Sequence, residues 1–431
     1  MNSYINSRTK MRFWNTLLAQ AIPVSYCVLE LADWYITSDS VESISDSRRI
    51  VPHVARVALL ALMLLVVITN IKSIFNRKLF WLQAAWVLFI TIRYTVSETF
   101  SAQALLEVAV YATAPLSLWS CYIFTKNKYI SLNFLSNIGI IMTMAYSLRI
   151  YWYKFTGIWI GVIARGGLDP TGPVATAGYM VLLFLSLALL GEFKYIKIVV
   201  AITALPASAM SMERSAQIEA ILGFAVLIIY YMYSLPRKRL KLLCIAMIAV
   251  CMFSATYIAY ADAITARWSD LSNPKKAGSG RAQFWAILYY DWRDGDNIVH
   301  LFGFGPGSVY TTTKAQWVGG VNHAHNEWLQ MLYETGLTGL ICYCVVVLLM
   351  YKDACIFAKK RSNGAAAALF GTSVVMCRSV FDYFFSNPSA MWYCIVIGST
   401  LGATKLLSDK NTKYYVLQKS QVLGNANSVL R

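Results

Sequence analysis

Leu242-Leu-Cys-Ile-Ala-Met-Ile-Ala-Val-Cys-Met-Phe-Ser-Ala-Thr-Tyr-Ile-Ala-Tyr-Ala261 runs for 20 residues without one Asp, Glu, Lys or Arg. At about 1.5 Å of rise per residue, a helix of that length reaches about 30 Å, the thickness of a bilayer's hydrocarbon core. Lipid offers no partner to a backbone N–H or C=O, so such a stretch must satisfy them internally, as a helix. Its flanks are equally informative. Arg237, Lys238, Arg239 and Lys241 stand before it, and a long polar and aromatic segment follows.

The rest of the chain repeats this pattern. It is 58% hydrophobic and 14% charged over 431 residues, where a soluble chain is roughly 45–50% apolar and about 25% charged. Apolar blocks lie near 12–35, 55–75, 79–97, 103–124, 129–152, 174–192, 195–212, 214–233, 240–260, 337–357, 364–385 and 390–407. The expected fold class is therefore all-α: a polytopic membrane helical bundle of about 12 transmembrane helices, with one large helical loop between spans 9 and 10. The first block, which carries Glu30 and Asp33 near its end, is too long for a signal-peptide core and lacks a small-residue cleavage site.

Basic residues set the expected orientation. Arg8, Lys10 and Arg12 precede the first span, Arg77 and Lys78 separate the second and third, and Lys126 and Lys128 follow the fourth. Lys194 and Lys197 flank the turn after the sixth, Lys359, Lys360 and Arg361 follow the tenth, and Lys405, Lys410, Lys413 and Lys419 lie in the tail. Short loops on the other side, such as Ser97–Ala102 and Phe385–Ser389, hold no Lys or Arg; Arg48 and Arg49 are the exception. The positive-inside rule then places both termini in the cytoplasm. The net charge of +17 suits anionic inner-leaflet lipid, and without a concentrated basic face it argues against nucleic acid as a partner. The chain divides into transmembrane helices 1–9 over 1–260, an outer loop over 261–336, transmembrane helices 10–12 over 337–407 and a cytoplasmic tail over 408–431.

The nine cysteines all fall inside or at the end of spans with no partnered CxxC pair, so they read as small hydrophobes rather than as disulfides or metal ligands.

The polar chemistry gathers on the non-cytoplasmic side. A shorter stretch begins with Arg149 and Lys154 and includes Arg165-Gly-Gly-Leu-Asp-Pro-Thr-Gly-Pro173; the longer one is 261–336. A loop of that length rich in Trp, Tyr and Gly is usually functional. Arg281-Ala-Gln-Phe-Trp-Ala-Ile-Leu-Tyr-Tyr-Asp-Trp292 reads as a helix capped by Ser279, with Trp285, Leu288, Tyr289 and Trp292 on one face. It suits a helix lying in the membrane interface or one packed on the outer surface. Arg281 in its first turn could hold an anion together with helix N–H groups. Phe302-Gly-Phe-Gly-Pro-Gly-Ser308 lacks the spacing of a dinucleotide fingerprint; it reads as a tight turn exposing backbone amides, or as a phosphate cradle.

Asn322-His-Ala-His-Asn-Glu-Trp-Leu-Gln-Met-Leu-Tyr-Glu-Thr-Gly336 carries the most reactive side chains. Asn326 is the expected N-cap, Gly336 the residue that ends the helix, and Trp328, Leu329, Leu332 and Tyr333 its apolar stripe. His323 and His325 could cap the helix, contribute to a metal site if more ligands joined them, or supply a neutral imidazole as general base. Ionisable residues beside the spans cluster in the same half: Arg93 and Glu98, Glu213 and Arg214 with Gln217 and Glu219, and Arg378 with Asp382 four residues on. Charges are costly in lipid and face a cavity or each other. Together they imply a polar cavity with arginine in excess, and so an anionic ligand.

Gly303-Phe-Gly-Pro-Gly-Ser308 followed by His323-Ala-His-Asn-Glu-Trp-Leu-Gln330 and Glu334-Thr-Gly336 resembles the signature of the O-antigen ligase/polymerase superfamily of bacterial envelope enzymes. Arg281-Ala-Gln-Phe-Trp285 and the loop from Arg165 to Asp169-Pro170 resemble its accompanying elements; where a Ser-Arg pair would be expected, this chain reads Met212-Glu-Arg-Ser215. Within the superfamily the chain most resembles O-antigen ligases. The resemblance implies a C-type glycosyltransferase of lipopolysaccharide biosynthesis in the bacterial inner membrane, with its site facing the periplasm. The implied donor is an undecaprenyl-diphosphate-linked glycan and the implied acceptor is lipid A–core oligosaccharide. It further implies metal-independent, inverting transfer without a cofactor. His325 would be the catalytic base, or else His323, with Arg214, Arg281 and Arg165 binding the diphosphate. An O-antigen polymerase is the near alternative. A transporter or flippase for lipid-linked glycan is a more distant one, and no internal repeat pairing the two halves supports it.

Overall fold

The computed structural model describes residues 2–36, 46–96, 102–157, 171–192, 194–235, 237, 239–269, 281–311, 324–360, 362–382 and 389–406. Among the described residues every regular element is helical. The helices are α1 (Asn2–Ile36), α2 (Asp46–Thr69), α3 (Lys78–Val96), α4 (Ala102–Lys126), α5 (Leu132–Thr156), α6 (Thr171–Ala188), α7 (Tyr195–Met210), α8 (Arg214–Ser234) and α9 (Arg239–Ala259). They continue with α10 (Ala261–Ser269), α11 (Arg281–Arg293), α12 (Asn297–Phe302), α13 (Glu327–Lys359), α14 (Ala365–Phe381) and α15 (390–406). A helix lies over each of the twelve apolar blocks.

Four of these helical segments are long and apolar enough to cross a membrane: Lys78–Val96, Val108–Lys126, Arg214–Ser234 and Glu327–Lys359. Val54–Thr69, Thr176–Ala188, Tyr195–Met210, Leu243–Ala259 and Ala365–Phe381 are shorter apolar helices. The uncharged stretch from Leu242 to Ala261 leaves Leu243, Met247, Ile248, Val250 and Ile258 of α9 exposed. Such a wide apolar face on a helix is a surface for lipid rather than for water.

The interior is a single large cluster in which α6 and α15 are buried most completely, from Met180 to Leu190 and from Ala390 to Ile397. Small residues let backbones close up there. Ser136 of α5 donates its hydroxyl to the Ala188 carbonyl of α6 at 2.6 Å. One turn on, a Cβ at Gly139 would stand 2.6 Å from the Leu187 carbonyl carbon. The cysteines are all free, but only Cys27, Cys121, Cys377 and Cys394 are buried; Cys244 and Cys251 lie exposed on α9.

The two expected helices meet end to end at a kink and are described together as α13. α13 begins at the Asn326 cap, breaks at Gly336 (φ 64°, ψ −166°) and continues as the apolar helix expected from 337. A second, smaller core of Phe284, Leu288, Val309, Ala324 and Tyr333 seats α11 against the first section of α13. This rotates both expected stripes. On α11 the buried residues are Phe284 and Leu288, while Tyr289 is exposed. On α13 the buried positions are Glu327, Gln330, Met331, Tyr333 and Glu334, and Trp328, Leu329 and Leu332 are only half-buried. Gln330 and Glu334 can occupy the buried face because they bond each other and find Ala324 N and Tyr111 Oη as further partners.

Candidate active site

His325 sits in a backbone held from both sides. Trp285 Nε1 donates to the Ala324 carbonyl at 2.6 Å, and the Asn326 side chain accepts from Leu329 N at 3.0 Å, which caps α13 as expected from the sequence. Glu327 N donates to the Asp382 carbonyl at 3.2 Å, tying that cap to the end of α14. Between these anchors His325 takes φ +49°, a left-handed conformation uncommon for a residue with a side chain. Strain of this kind persists where its surroundings over-determine it.

Its ring meets a carboxylate. His325 Nδ1 lies 2.8 Å from Asp382 Oδ1, with the two side chains 28% and 9% exposed. Asp382 follows the last residue of α14. Its carboxylate is shared between the Arg378 guanidinium and His325. An ionised carboxylate only accepts, so Nδ1 is the donor and Nε2 carries the basic lone pair.

Arg378 is the hub beneath this pair. Its Nη2 bonds Asp382, and its Nη1 reaches Ser215 Oγ at 2.9 Å and Glu213 Oε1 at 3.2 Å. Glu219 Oε1 lies 3.7 Å away, and the guanidinium stacks 4.0 Å over the Tyr179 ring. Three carboxylates thus surround one buried guanidinium, and the pairing of Arg378 with Asp382 is the one their four-residue spacing allows. Arg378 is committed to holding α14, α8 and α6 together.

Arg281 approaches from the other side. Its Nη1 donates to the Phe381 carbonyl at 2.7 Å, which puts it beside Asp382. A guanidinium has five N–H groups, and that carbonyl takes one. Arg214 opens α8 beside Glu213, whose carboxylate is engaged by Arg378 and by the Ser215 hydroxyl at 2.7 Å. Four separate segments therefore converge around Asp382: 281 on α11, 325 before α13, 378–382 on α14 and 213–219 at the start of α8.

The glycine run does different work from a phosphate cradle. Gly303, Gly305 and Gly307 have φ of 71°, 106° and 80°. Phe304 N and Gly305 N donate to the carbonyls of Tyr333 and Glu334, each at 2.9 Å. Those carbonyls sit just before the break at Gly336, where the helical ladder stops. The amides expected to be exposed are thus engaged in capping a helix section. A Cβ at Gly336 would lie 2.5 Å from the Leu301 carbonyl carbon, and one at Gly303 would lie 2.5 Å from Thr335 N, so glycine faces glycine across the contact. Arg93 clamps the outside, donating to the Gly303 carbonyl at 2.7 Å with its guanidinium 5.9 Å from the Phe302 ring centroid. Glu334 is buried in packing, where it accepts from Gln330 Nε2 at 3.4 Å and Tyr111 Oη at 3.5 Å.

Of the residues expected to act, Arg214, Arg281 and His325 are described; Arg165, His323, Glu98 and Ser279 lie outside the described residues. The residue that sequence reasoning missed is Asp382 as the partner of His325. Its spacing from Arg378 signalled an ion pair, and nothing in the sequence signalled a second engagement across 57 residues.

Residues 199–344 match a family model described as O-antigen ligase. That region is similar to the O-antigen ligase family. It contains Arg281, the glycine run and His325, which are among the features that carried the resemblance, and Arg214, where the chain departs from the expected pattern. Arg378 and Asp382 lie beyond its last residue, so the histidine stands within the matched O-antigen ligase region and the carboxylate that holds it stands outside. The family takes in ligases and polymerases alike, enzymes of a membrane glycosyltransferase type. No curated protein matches the chain.

Proposed function

We propose that this protein transfers O-antigen polysaccharide from undecaprenyl diphosphate to lipid A–core oligosaccharide, on the periplasmic side of the bacterial inner membrane. The observation that carries the proposal is the His325–Asp382 pair, with Arg281 anchored on the adjoining carbonyl. The acceptor hydroxyl gives its proton to His325 Nε2 as its oxygen attacks the anomeric carbon. The bond from that carbon to the diphosphate breaks on the opposite face, so the configuration inverts. Undecaprenyl diphosphate leaves with the bonding electron pair. Asp382 stabilises the imidazolium that forms, and Arg281 and Arg214 stabilise the charge on the departing diphosphate. Arg165 and His323 complete the substrate-binding set. The donor is already activated, so the reading calls on no metal or cofactor. With about 12 transmembrane helices and both termini cytoplasmic, the 261–336 segment stands where a lipid-anchored diphosphate can reach it.

Full-length protein reconstituted with lipid-linked glycan, and with either core acceptor or a second lipid-linked unit, tests the proposal. Capped core identifies a ligase and a lengthened lipid-linked chain identifies a polymerase. His325→Ala should lower either rate about 10²–10⁴-fold. Full transfer by that variant would remove the base.

A further inference from the structure

Between α11 and the first section of α13 lies a cleft of about 500 Å3 whose walls include Trp285, Tyr289, Tyr290, Asn326, Trp328 and Leu332. None of its lining residues is charged, which makes it a poor place for a diphosphate. Asn326 in its wall and Ala324, whose carbonyl Trp285 holds, are the chain neighbours of His325 on either side, which ties the cleft to the backbone that carries the base. The two indole N–H groups are already engaged inside the protein: Trp285 with the Ala324 carbonyl, and Trp328 with Ser379 Oγ at 3.1 Å. The rings therefore offer carbon surface to the cleft, and their positions are fixed by the same bonds that frame His325. Tyr289 and Tyr290 are 46% and 50% exposed and carry polar tips above apolar bodies.

The chemistry of the walls selects the occupant. Aromatic faces are electron-rich and attract polarised C–H groups. A pyranose presents C–H groups on its faces and hydroxyls around its edge, which suits rings below and phenols and water around it. A pocket lined by aromatics with a few polar groups orients such a ligand. We propose that this cleft binds the saccharide of the acceptor, with Tyr289, Trp285 and Trp328 as stacking faces that carry its hydroxyl to His325. The inference rests on the glycosyl-transfer reading above and names where the acceptor sits. It also accounts for the rotated stripe of α13: Trp328, Leu329 and Leu332 are left half-buried because they wall this cleft.

The test uses full-length protein in nanodiscs, titrated with delipidated lipopolysaccharide core oligosaccharide and, separately, with short-chain phosphatidylglycerol. The core oligosaccharide should bind, Tyr289→Ala should weaken its Kd about 3- to 10-fold, and Tyr289→Phe should bind as the parent does. The acceptor KM should rise by the same factor with kcat unchanged. Equal binding of the core oligosaccharide by parent and Tyr289→Ala overturns the assignment. So does a Tyr289→Ala effect on the phospholipid alone, which would mark the cleft as a seat for a lipid tail. Core binding retained by a protein that transfers nothing would strike the functional reading and spare the cleft. Transfer with core binding insensitive to Tyr289 would strike the cleft alone.

Discussion

Replacing Asp382 by Asn removes one charge while keeping the side chain's shape. In the structure that charge meets His325 Nδ1 at 2.8 Å and one arm of Arg378. Arg378 keeps Glu213, Glu219 and Ser215 as partners, so the helix hub should survive and the effect should fall on the histidine. A hydrogen bond to a charged group is worth about 1.5–3 kcal/mol. At about 1.4 kcal/mol per tenfold, kcat should drop about 10- to 150-fold. The loss should stay smaller than that of His325→Ala, which removes the base itself. Single-turnover transfer in proteoliposomes at saturating donor measures it, with thermal melting to show that the Asp382→Asn variant is folded. Because Asp382 acts through His325, the double variant should be no slower than His325→Ala alone. Unchanged kcat in Asp382→Asn beside an inactive His325→Ala would refute the orienting role, and additive losses in the double variant would show that Asp382 acts elsewhere.

Gly336→Ala asks a residue with a Cβ to adopt φ 64° and to stand 2.5 Å from the Leu301 carbonyl carbon. That combination of positive φ and extended ψ is essentially confined to glycine and costs another residue about 1–3 kcal/mol, so the 301–305 turn should release α13, seen as faster proteolysis within that turn. Arg281→Lys keeps the charge and loses the planar fork. The KM for the lipid diphosphate should rise about tenfold, with core oligosaccharide binding unaffected; unchanged donor KM would take Arg281 out of the diphosphate site.

Much of the fold was legible from local chemistry. The 20 uncharged residues of Leu242–Ala261 require a helix by length and by the absence of backbone partners in lipid. Asn326 as a cap and Gly336 as a break follow from side-chain hydrogen bonding and from the conformation only glycine adopts easily, and both stand where the sequence placed them. Rotation about a helix axis was not legible in the same way. Trp328, Leu329 and Leu332 looked like a core stripe because apolar residues usually are, but Glu327, Gln330 and Glu334 are buried instead, with Glu334 meeting Tyr111 of α4 and Gln330 bonding Ala324 N and Glu334.

The sequence by itself determined the class of protein and the residue types available for chemistry: helices through apolar blocks, a histidine before a capped helix, and arginines near helix starts. Only the tertiary structure decided which of them act together. It spread Asp382 between His325 and Arg378, ringed Arg378 with carboxylates, set Arg93 on the Gly303 carbonyl, and turned a candidate phosphate loop into the cap of a broken helix. The physical reason is range. Capping, helix length and backbone conformation are settled within a few residues, whereas a hydrogen bond between residues 325 and 382 exists only after several helices have packed, and no local pattern encodes that distance.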